Sequence, residues 1–250
     1  MNLDGRVVII TGAGTGIGRA VVDVVAQAGG RVVAVGRREG PLLEACAACE
    51  RQGVEALAVR ANVGVPEDAG AVVRAALERF GRVDALINNA GVARFARVED
   101  AEDEDLESML DAHVRGPFYL VRAALPSLRP ARGAVVNVSS IGGALATPGR
   151  SLYGATKAAQ NHLTRSLARE LAPEVRVNAI LPGPVETPMH EHTGLDPVAL
   201  GELREEMLRT TPAGRFGLPA EVARWIGYLL DDANRWVTGA LFCVDGGRSA

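Results

Sequence analysis

Short β-branched runs alternate with helical stretches along the whole chain, and this alternation restricts the fold more than any other feature. Helical patterns include Ile17 to Ala28, Pro66 to Phe80 and Tyr153 to Ala172. Strands separated by helices form right-handed βαβ units, so we predict an α/β fold with a doubly wound parallel sheet covered by helices on both faces. The seven predicted strands are Val7 to Ile10, Val32 to Val35, Ala56 to Val59, Ala85 to Asn88, Ala134 to Val138, Arg176 to Leu181 and Leu241 to Val244.

The first strand runs into a glycine-rich turn, Thr11 to Gly18, and then into a helix. Glycines let the backbone approach a pyrophosphate and the helix start offers unpaired N–H groups, so the segment predicts a dinucleotide-binding turn. The common fingerprint has glycines at its first, third and sixth positions, whereas the spacing here is Gly-x-x-x-Gly-x-Gly. A glycine-rich turn without a ligand is the alternative. The predicted contacts are Gly12, Gly14, Thr15, Gly16, Ile17 and Gly18.

Tyr153 and Lys157 lie four residues apart in a helical stretch, and Ser140 lies thirteen residues before the tyrosine. Positions i and i+4 of a helix share one face, so the phenol and the ammonium group can converge. A nearby positive charge lowers the pKa of a tyrosine from its usual value of about 10. The pattern therefore indicates a tyrosine acid/base, with Ser140 donating to the reacting oxygen. Taken alone, a surface pair on a helix would look the same.

Together these motifs resemble those of the short-chain dehydrogenase/reductase family, in its single-domain type of about 250 residues. Thr-Gly-x-x-x-Gly-x-Gly matches Thr11 to Gly18, Asn-Asn-Ala-Gly matches Asn88 to Gly91, and Ser…Tyr-x-x-x-Lys matches Ser140, Tyr153 and Lys157. Further matches are Pro182-Gly183 with Thr187-Pro188-Met189, and the closing Val244-Asp245-Gly246-Gly247. The resemblance implies one Rossmann domain over residues 1–250, with a substrate lid at about residues 189–217.

Cofactor choice should depend on the end of the second strand, where the chain reads Val35-Gly36-Arg37-Arg38. An acidic residue there would bind the 2′-hydroxyl of the ribose and repel a 2′-phosphate, whereas arginine offers a charged fork that suits phosphate. Arg37 and Arg38 therefore favour NADP(H). NAD(H) stays possible, because many NADP-preferring relatives carry a basic residue in the glycine turn, where this chain has Thr15.

The resemblance also implies the remaining cofactor contacts. Asn62 and Val63 occupy the place of an Asp-Val pair near the adenine, and the amide oxygen of Asn62 could accept the same hydrogen bond. Lys157 would bind the hydroxyls of the nicotinamide ribose. Thr187 and the backbone of Val185 would hold the nicotinamide carboxamide. The residues implied beside the adenosine ribose and the nicotinamide are Asn89, Ala90, Gly91, Pro182, Gly183, Val185 and Thr187.

His113 is the clearest departure from the family's pattern, since relatives usually have asparagine at this place. That asparagine supports a water-linked proton path from the lysine to solvent. A neutral imidazole can donate and accept hydrogen bonds and titrates near pH about 6.5. We therefore predict that His113 supports catalysis in the same way with an altered pH dependence. The alternative is a residue that only packs in its helix.

The implied reaction is hydride transfer between a nicotinamide and a ketone or secondary alcohol, with Tyr153 exchanging the proton. A semi-apolar lid face formed by Val198, Leu203, Met207 and Leu208 suggests an apolar substrate pocket. Two alternatives stay open. The first is a 3-oxoacyl-carrier-protein reductase, which would need a basic docking patch near the mouth of the site. The second is a dinucleotide-binding sensor or scaffold without turnover.

Partners and compartment follow from composition and from the resemblance. The net charge of −3 gives no basic field for nucleic acid or an anionic membrane. No run approaches the roughly 20 apolar residues that cross a bilayer, and residues 1–4 show no leader pattern, so we expect a cytoplasmic protein. The resemblance implies a homotetramer. Arg94 and Arg97 would either meet an anionic group of the substrate or form a solvated surface.

The cysteines predict neither a disulfide framework nor a metal site. Three cysteines are an odd number for a set of disulfides. Cys46 and Cys49 form a Cys-x-x-Cys pattern, but they lie within an alanine-rich helical stretch rather than at a helix start, where a thiolate would be stabilised. No second cluster of Cys or His completes a zinc site. We therefore predict that both thiols are structural.

Overall fold

The computed structural model describes all 250 residues and places seven strands in one sheet. The strand order is β3-β2-β1-β4-β5-β6-β7, and every neighbouring pair is parallel. The predicted doubly wound fold is confirmed. The strands are β1 (Val7–Thr11), β2 (Arg31–Gly36), β3 (Ala56–Arg60), β4 (Ala85–Asn88), β5 (Ala134–Val138), β6 (Arg176–Pro182) and β7 (Leu241–Val244).

Eight α-helices connect these strands or follow them. A π-helical turn, Asp111–Arg115, joins the fourth helix directly to the fifth. None of the helices combines the length and the apolar character that crossing a membrane requires. The helices are α1 (Gly16–Gln27), α2 (Glu39–Glu50), α3 (Pro66–Phe80), α4 (Asp103–Leu110), α5 (Gly116–Leu128), α6 (Ser151–Leu171), α7 (Pro197–Arg209) and α8 (Pro219–Leu230).

The core consists of two apolar layers, one on each face of the sheet. Helices α1, α2 and α8 pack on one face, and α3, α5 and α6 pack on the other. Every residue of β1, β5 and β6 is buried. This double coverage explains why apolar residues occupy successive positions in these strands rather than only alternate ones. It also leaves only the ends of the strands open to ligands.

The predicted boundaries differ from the structure by one or two residues. Thr11 extends the first strand and Pro182 extends the sixth, because Thr11 pairs with Val35 and Pro182 pairs with Val244. The first helix spans Gly16–Gln27 rather than Ile17 to Ala28. The long helix α6 begins at Ser151 rather than Tyr153 and ends at Leu171. Tyr153 consequently lies within the first turn of α6, next to the end of the sheet.

The helix predicted to start at Asp196-Pro197 is present as α7. Asp196 Oδ1 accepts hydrogen bonds from the N–H groups of Val198 at 2.8 Å and Ala199 at 3.0 Å. The predicted semi-apolar face is wrong in part, since Met207 is buried while Val198 and Leu208 are 72% and 45% exposed. Nine residues are two and a half helical turns, so Val198 lies on the face opposite Met207.

Cys46 and Cys49 are buried in α2, as the structural interpretation predicts. Burial raises the pKa of the Cys46 thiol, and it raises the pKa of the Cys49 thiol to about 11. Both side chains belong to the apolar layer beside α1. Thiols in this environment stay protonated at neutral pH, so they act as small apolar side chains rather than as reactive groups.

Candidate active site

A cavity of about 1700 Å³ opens at the carboxyl ends of the strands. Its walls come from segments that follow different strands, with Gly12 after β1, Arg37 after β2, Asn89 after β4, Ser140 after β5 and Gly183 after β6. Parallel strands end at one edge of the sheet, which is why these distant segments meet. Single small-molecule sites measure about 300–1,000 Å³. The cavity can therefore hold a dinucleotide together with a substrate.

Most of the residues predicted from the sequence line this cavity. The glycine turn, the arginines after β2, the Asn-Asn-Ala-Gly segment, the Ser-Tyr-Lys set and the segment after β6 all contribute to its wall. The predicted residues that line it are Gly12, Thr15, Gly16, Ile17, Arg37, Arg38, Asn89, Ala90, Gly91, Ser140, Tyr153, Lys157, Pro182, Gly183, Val185 and Thr187.

Five predicted residues do not line the cavity, namely Gly14, Gly18, Asn62, Val63 and His113. A Cβ on Gly18 would lie 2.2 Å from the carbonyl oxygen of Gly12, and one on Gly14 would lie 2.8 Å from Pro41 Cβ. Val63 is buried, and Asn62 is exposed with its side-chain oxygen accepting from the N–H of Gly64 at 3.2 Å. These residues shape the turn and the loop beside the cavity. The fifth residue, His113, is described below.

Hydrogen bonds tie the glycine turn to the segment after β4. Thr11 Oγ1 accepts from the N–H groups of Asn89 and Ala90, each at 2.9 Å, and donates to the carbonyl of Ile87 at 3.2 Å. The side chain of Asn89 donates to the carbonyl oxygens of Thr11 at 2.9 Å and Gly12 at 3.3 Å. The two segments therefore form one rigid wall.

The start of α1 provides hydrogen-bond donors that fit a pyrophosphate. Thr15 precedes the helix without a capping hydrogen bond from its side chain, and the first turn carries no acidic residue. The N–H groups of Gly16, Ile17 and Gly18 make no hydrogen bond within the chain. Such groups bind anions because they are unpaired and lie at the positive end of the helix dipole. The residues present thus fit a dinucleotide at this wall.

Arg37 and Arg38 follow β2 directly and lie at the surface of the cavity. Neither side chain takes part in an ion pair or a hydrogen bond within the chain. Strand β2 itself contains no acidic residue, and the first acid after it, Glu39, is exposed at the start of α2. Two unpaired guanidinium groups are therefore available at this part of the cavity wall.

Ser140 and Tyr153 converge on one point of the cavity wall. Ser140 Oγ accepts from the N–H of Gly142 at 3.0 Å. A Cβ on Gly142 would lie 3.3 Å from Ser140 Oγ and 3.2 Å from Tyr153 Cε1, so glycine leaves the space between the two side chains open. The tyrosine ring meets Phe95 and His113 edge to face, with ring centres 5.5 Å and 5.7 Å apart. These contacts hold the ring in one orientation.

The electrostatics of the tyrosine and the lysine differ from the prediction. Burial raises the pKa of Tyr153, while Ser140 and Arg150 oppose that rise. Lys157 is buried, and burial lowers its pKa to about 7. Lys157 Nζ donates to the carbonyl of Val138 at 2.9 Å and to Gln160 Oε1 at 3.0 Å. The predicted lowering of the tyrosine pKa by Lys157 is not found, because desolvation dominates both groups.

A chain of buried polar groups fixes α6 against the sheet. Asn88 Nδ2 donates to Asn137 Oδ1 and Asn137 Nδ2 donates to Thr164 Oγ1, both at 2.8 Å, and Thr164 Oγ1 donates to the carbonyl of Gln160 at 2.9 Å. This chain joins β4, β5 and α6. Buried hydrogen bonds between elements favour one arrangement of those elements, so the chain helps to fix the rotation of the helix that carries Tyr153 and Lys157, although Asn88 Oδ1 and Gln160 Nε2 have no partner within the chain.

His113 is fully buried in the π-helical turn. Its Nε2 accepts from the N–H of Val92 at 3.3 Å, so the proton is assigned to Nδ1, which lies 2.9 Å from Thr156 Oγ1. Thr156 Oγ1 in turn donates to the carbonyl of Tyr153 at 2.9 Å. Burial, and then the charge of Lys157, hold the pKa of His113 well below 6.5. The imidazole is therefore neutral, and it is hydrogen-bonded both to the segment after β4 and to α6.

The substrate side of the cavity contains residues that sequence reasoning missed or left open. Arg94 is paired with Asp105 at 3.1 Å and donates to the carbonyl of His192, and Arg97 is exposed. Phe95 and Arg150 line the cavity but were not predicted. A usable signal existed for Arg150, which stands three residues before Tyr153 at the start of the same helix.

The parallel sheet, the phosphate-binding turn and the Ser-Tyr-Lys set beside it define a dinucleotide-dependent oxidoreductase of the Rossmann type. Comparison with known proteins gives the family. A family model described as enoyl-(acyl carrier protein) reductase matches residues 12–249. The chain belongs to the short-chain dehydrogenase/reductase family.

Individual relatives agree with this assignment. The chain is 35% identical to the 3-oxoacyl-[acyl-carrier-protein] reductase of Thermotoga maritima, over 99% of each chain. A 3-ketoacyl-(acyl-carrier-protein) reductase from Brucella melitensis, solved in complex with NADH, is 32% identical with a TM-score of 0.91 over 100% of each chain. Levodione reductase is also 32% identical, with a TM-score of 0.92 over 99% of this chain and 98% of the other. The protein is thus an oxidoreductase of keto or alcohol groups, in a family for which NAD(P)(H) dependence is typical.

Proposed function

We propose that the protein uses NADP(H) to interconvert a ketone and a secondary alcohol in a small or medium-sized metabolite. The observation that carries the proposal is the convergence of Ser140 and Tyr153 across Gly142, in a cavity whose other wall fits a dinucleotide. A bound nicotinamide would supply or accept the hydride. The chain's own residues position the reacting oxygen and move its proton.

Each member of the Ser-Tyr-Lys set has a role that its contacts support. Ser140 Oγ already accepts from Gly142, so its O–H is free to donate to a substrate oxygen. The raised pKa keeps the Tyr153 phenol protonated at neutral pH, as a proton donor to a developing alkoxide must be. Lys157 has used two of its donors, on Val138 and Gln160, and the third is available for a ribose hydroxyl. His113 acts as a positioning residue.

The preference for NADP(H) is supported by Arg37 and Arg38. Both guanidinium groups are unpaired, and a 2′-phosphate would give each of them an acceptor. The N–H of Val185 makes no hydrogen bond within the chain, and Thr187 packs next to Gly16, with Thr187 Cγ2 3.1 Å from a Cβ built there. These groups suit the carboxamide contacts that the family resemblance implies. NAD(H) is the competing cofactor.

A carrier-protein substrate is the second candidate, because relatives with that activity are similar to this chain. Docking an acidic carrier protein needs a basic patch at the mouth of the cavity. Residues 99–105 instead carry six acidic side chains, and Asp100, Glu102 and Asp105 line the cavity. The nearby Arg94 is already paired with Asp105. The charge at the mouth therefore favours a small substrate.

A homotetramer is part of the proposal. Phe118 on α5 and Trp225 and Tyr228 on α8 are 42%, 46% and 49% exposed. Strand β7 lies at the edge of the sheet, with Cys243 exposed on it. Exposed aromatic side chains on two helices, together with an open strand edge, are features of surfaces that other chains cover. A second and third copy of the chain would bury them.

Titration with NADPH and NADH, followed by a panel of ketones and 3-oxoacyl thioesters, tests the proposal. We expect tighter binding of NADPH, and Arg37→Gln should remove that difference while leaving NADH binding unchanged. Tyr153→Phe should reduce turnover by about 100-fold to 10,000-fold, whereas the matched control Tyr228→Phe, on the exposed face of α8, should retain it. Preference for NADH would contradict the cofactor assignment. Cofactor binding without turnover of any panel member would favour the sensor alternative.

A further inference from the structure

Arg150 lies on the substrate side of the cavity, and its surroundings support an inference that rests on the proposed function. It directly precedes α6 and stands three residues before Tyr153. Its guanidinium carbon lies 5.1 Å from the centre of the Phe95 ring, and Phe95 meets Tyr153 edge to face. Arg150 itself lines the cavity. A single aromatic ring therefore separates this cation from the acid/base.

The guanidinium of Arg150 has no hydrogen-bond acceptor within the chain. Its side chain is only 16% exposed, and its one ion-pair partner is Glu206, with Nη2 and Oε2 3.5 Å apart. The distance and the geometry of this pair do not amount to a hydrogen bond, and only the backbone N–H of Arg150 is bonded, to Thr147. A guanidinium carries five N–H donors. Because Arg150 lines the cavity without a hydrogen-bond acceptor of its own, its donors are available to an oxygen ligand that enters the cavity.

Glu206 is shared between two arginines, because its Oε2 faces Arg150 while its Oε1 is bonded to Arg248. Arg248 Nη2 donates to Glu206 Oε1 at 3.0 Å, and Arg248 Nη1 donates to the carbonyl of Met207 at 2.8 Å. Arg248 also lines the cavity, and its side chain is 10% exposed. Burial lowers the pKa of Arg150, and the charge of Arg248 lowers it further. Two cations thus face one carboxylate, which leaves one positive charge beside the substrate space.

We propose that Arg150 binds a carboxylate of the substrate, and that the protein therefore acts on oxo acids and hydroxy acids with a free carboxylate. The planar fork of arginine donates hydrogen bonds to both oxygens of a carboxylate, and the Arg150 guanidinium lies over the ring of Phe95. The reacting carbonyl carbon of the substrate would lie beside Tyr153. A substrate whose carboxylate binds Arg150 would therefore have only a short chain between the two groups. The phosphate of a pantetheine arm would lie at the end of a far longer chain.

The test compares oxo acids with their methyl esters of equal chain length and with a neutral N-acetylcysteamine 3-oxoacyl thioester, all with NADPH. The wild type should prefer the acid. Arg150→Met should lower kcat/KM for the acid by about 10- to 100-fold, chiefly through KM, since it removes a charge-assisted bidentate contact. The ester and the thioester should change little. For Arg150→Lys, kcat/KM for the acid should lie between the values of the wild type and Arg150→Met, because lysine keeps the charge but lacks the planar fork.

Arg51→Met is the matched control, because Arg51 is exposed after α2 and lies outside the cavity. An equal loss in this variant would overturn the assignment to Arg150. Equal losses for acid and ester in Arg150→Met would also overturn it and indicate a purely structural role. Calorimetry with NADPH-bound Tyr153→Phe and an unreactive saturated carboxylate separates this inference from the proposed function. Carboxylate binding that requires Arg150 supports the inference even without turnover. Carboxylate binding that is independent of Arg150 contradicts the inference and leaves the proposed function unaffected.

Discussion

His113 shows how a single residue links the cofactor wall to the acid/base. Its two ring nitrogens are committed to Val92, which follows the Asn-Asn-Ala-Gly segment, and to Thr156 in α6. Its ring also contacts Tyr153. Both ring nitrogens are hydrogen-bonded within the chain, so we propose that His113 positions Tyr153 rather than passing protons to water.

The neutral state of His113 predicts a pH profile. Because its pKa lies well below 6.5, the imidazole does not gain a proton as the pH falls through 6.5. We expect wild type and His113→Asn to show the same acid limb of kcat between pH 5.5 and 7.5, while kcat itself falls in the variant because the hydrogen bonds of His113 are altered. Measuring kcat of both proteins across this pH range tests the prediction. An acid limb near pH about 6.5 that disappears in His113→Asn would show that the histidine titrates.

Helix α7 is the secondary-structure element most suited to act as a substrate lid. Its contacts with the rest of the molecule are mainly ionic, with Arg204 bonded to Glu186 at 3.0 Å and Glu206 paired with Arg150 and Arg248. Met207 is its one buried apolar side chain. Few buried apolar contacts mean a low free energy of local opening. We therefore propose that α7 opens and closes independently of the sheet.

Two opposite substitutions in α7 test this proposal. Asp196→Ala removes the cap bonded to Val198 and Ala199 and should destabilise the helix by about 1 kcal/mol. Gly201→Ala places a methyl group in open space on the helix and should stabilise it by about 0.5–1 kcal/mol. Hydrogen exchange should become faster across residues 197–209 in the first variant and slower in the second. Changes spread equally over the sheet would contradict a lid that opens alone.

For the whole molecule, the exposed aromatic side chains predict assembly. Phe118 is 42% exposed and stacks with Arg122 on the outer face of α5. If this face is covered in a tetramer, Phe118→Asp should reduce the mass in solution, because burying a carboxylate at an interface is costly. Val98→Asp is the control, since Val98 is 83% exposed near the mouth of the cavity. Sedimentation of wild type as a monomer would contradict the proposal.

The sequence alone determined the features that depend on local order. Strand and helix periods are properties of neighbouring residues, so the seven strands and the glycine turn could be predicted to within one or two residues. Spacing within one helix likewise placed Tyr153 and Lys157 on one face. The family motifs then identified most of the cavity wall, because each motif follows a strand end and all parallel strands end together.

Other properties depend on contacts between distant segments and could be seen only in the folded molecule. The desolvation of Lys157 follows from its packing against β5, and the commitment of His113 follows from Val92 and Thr156. Arg150 faces the cavity with one shared carboxylate because α7 and the C-terminal segment meet beside it. Burial and shared partners set pKa values and charge balance, and no local pattern encodes them. For this reason the sequence predicted the class of reaction, while the structure led to the proposed carboxylate substrate.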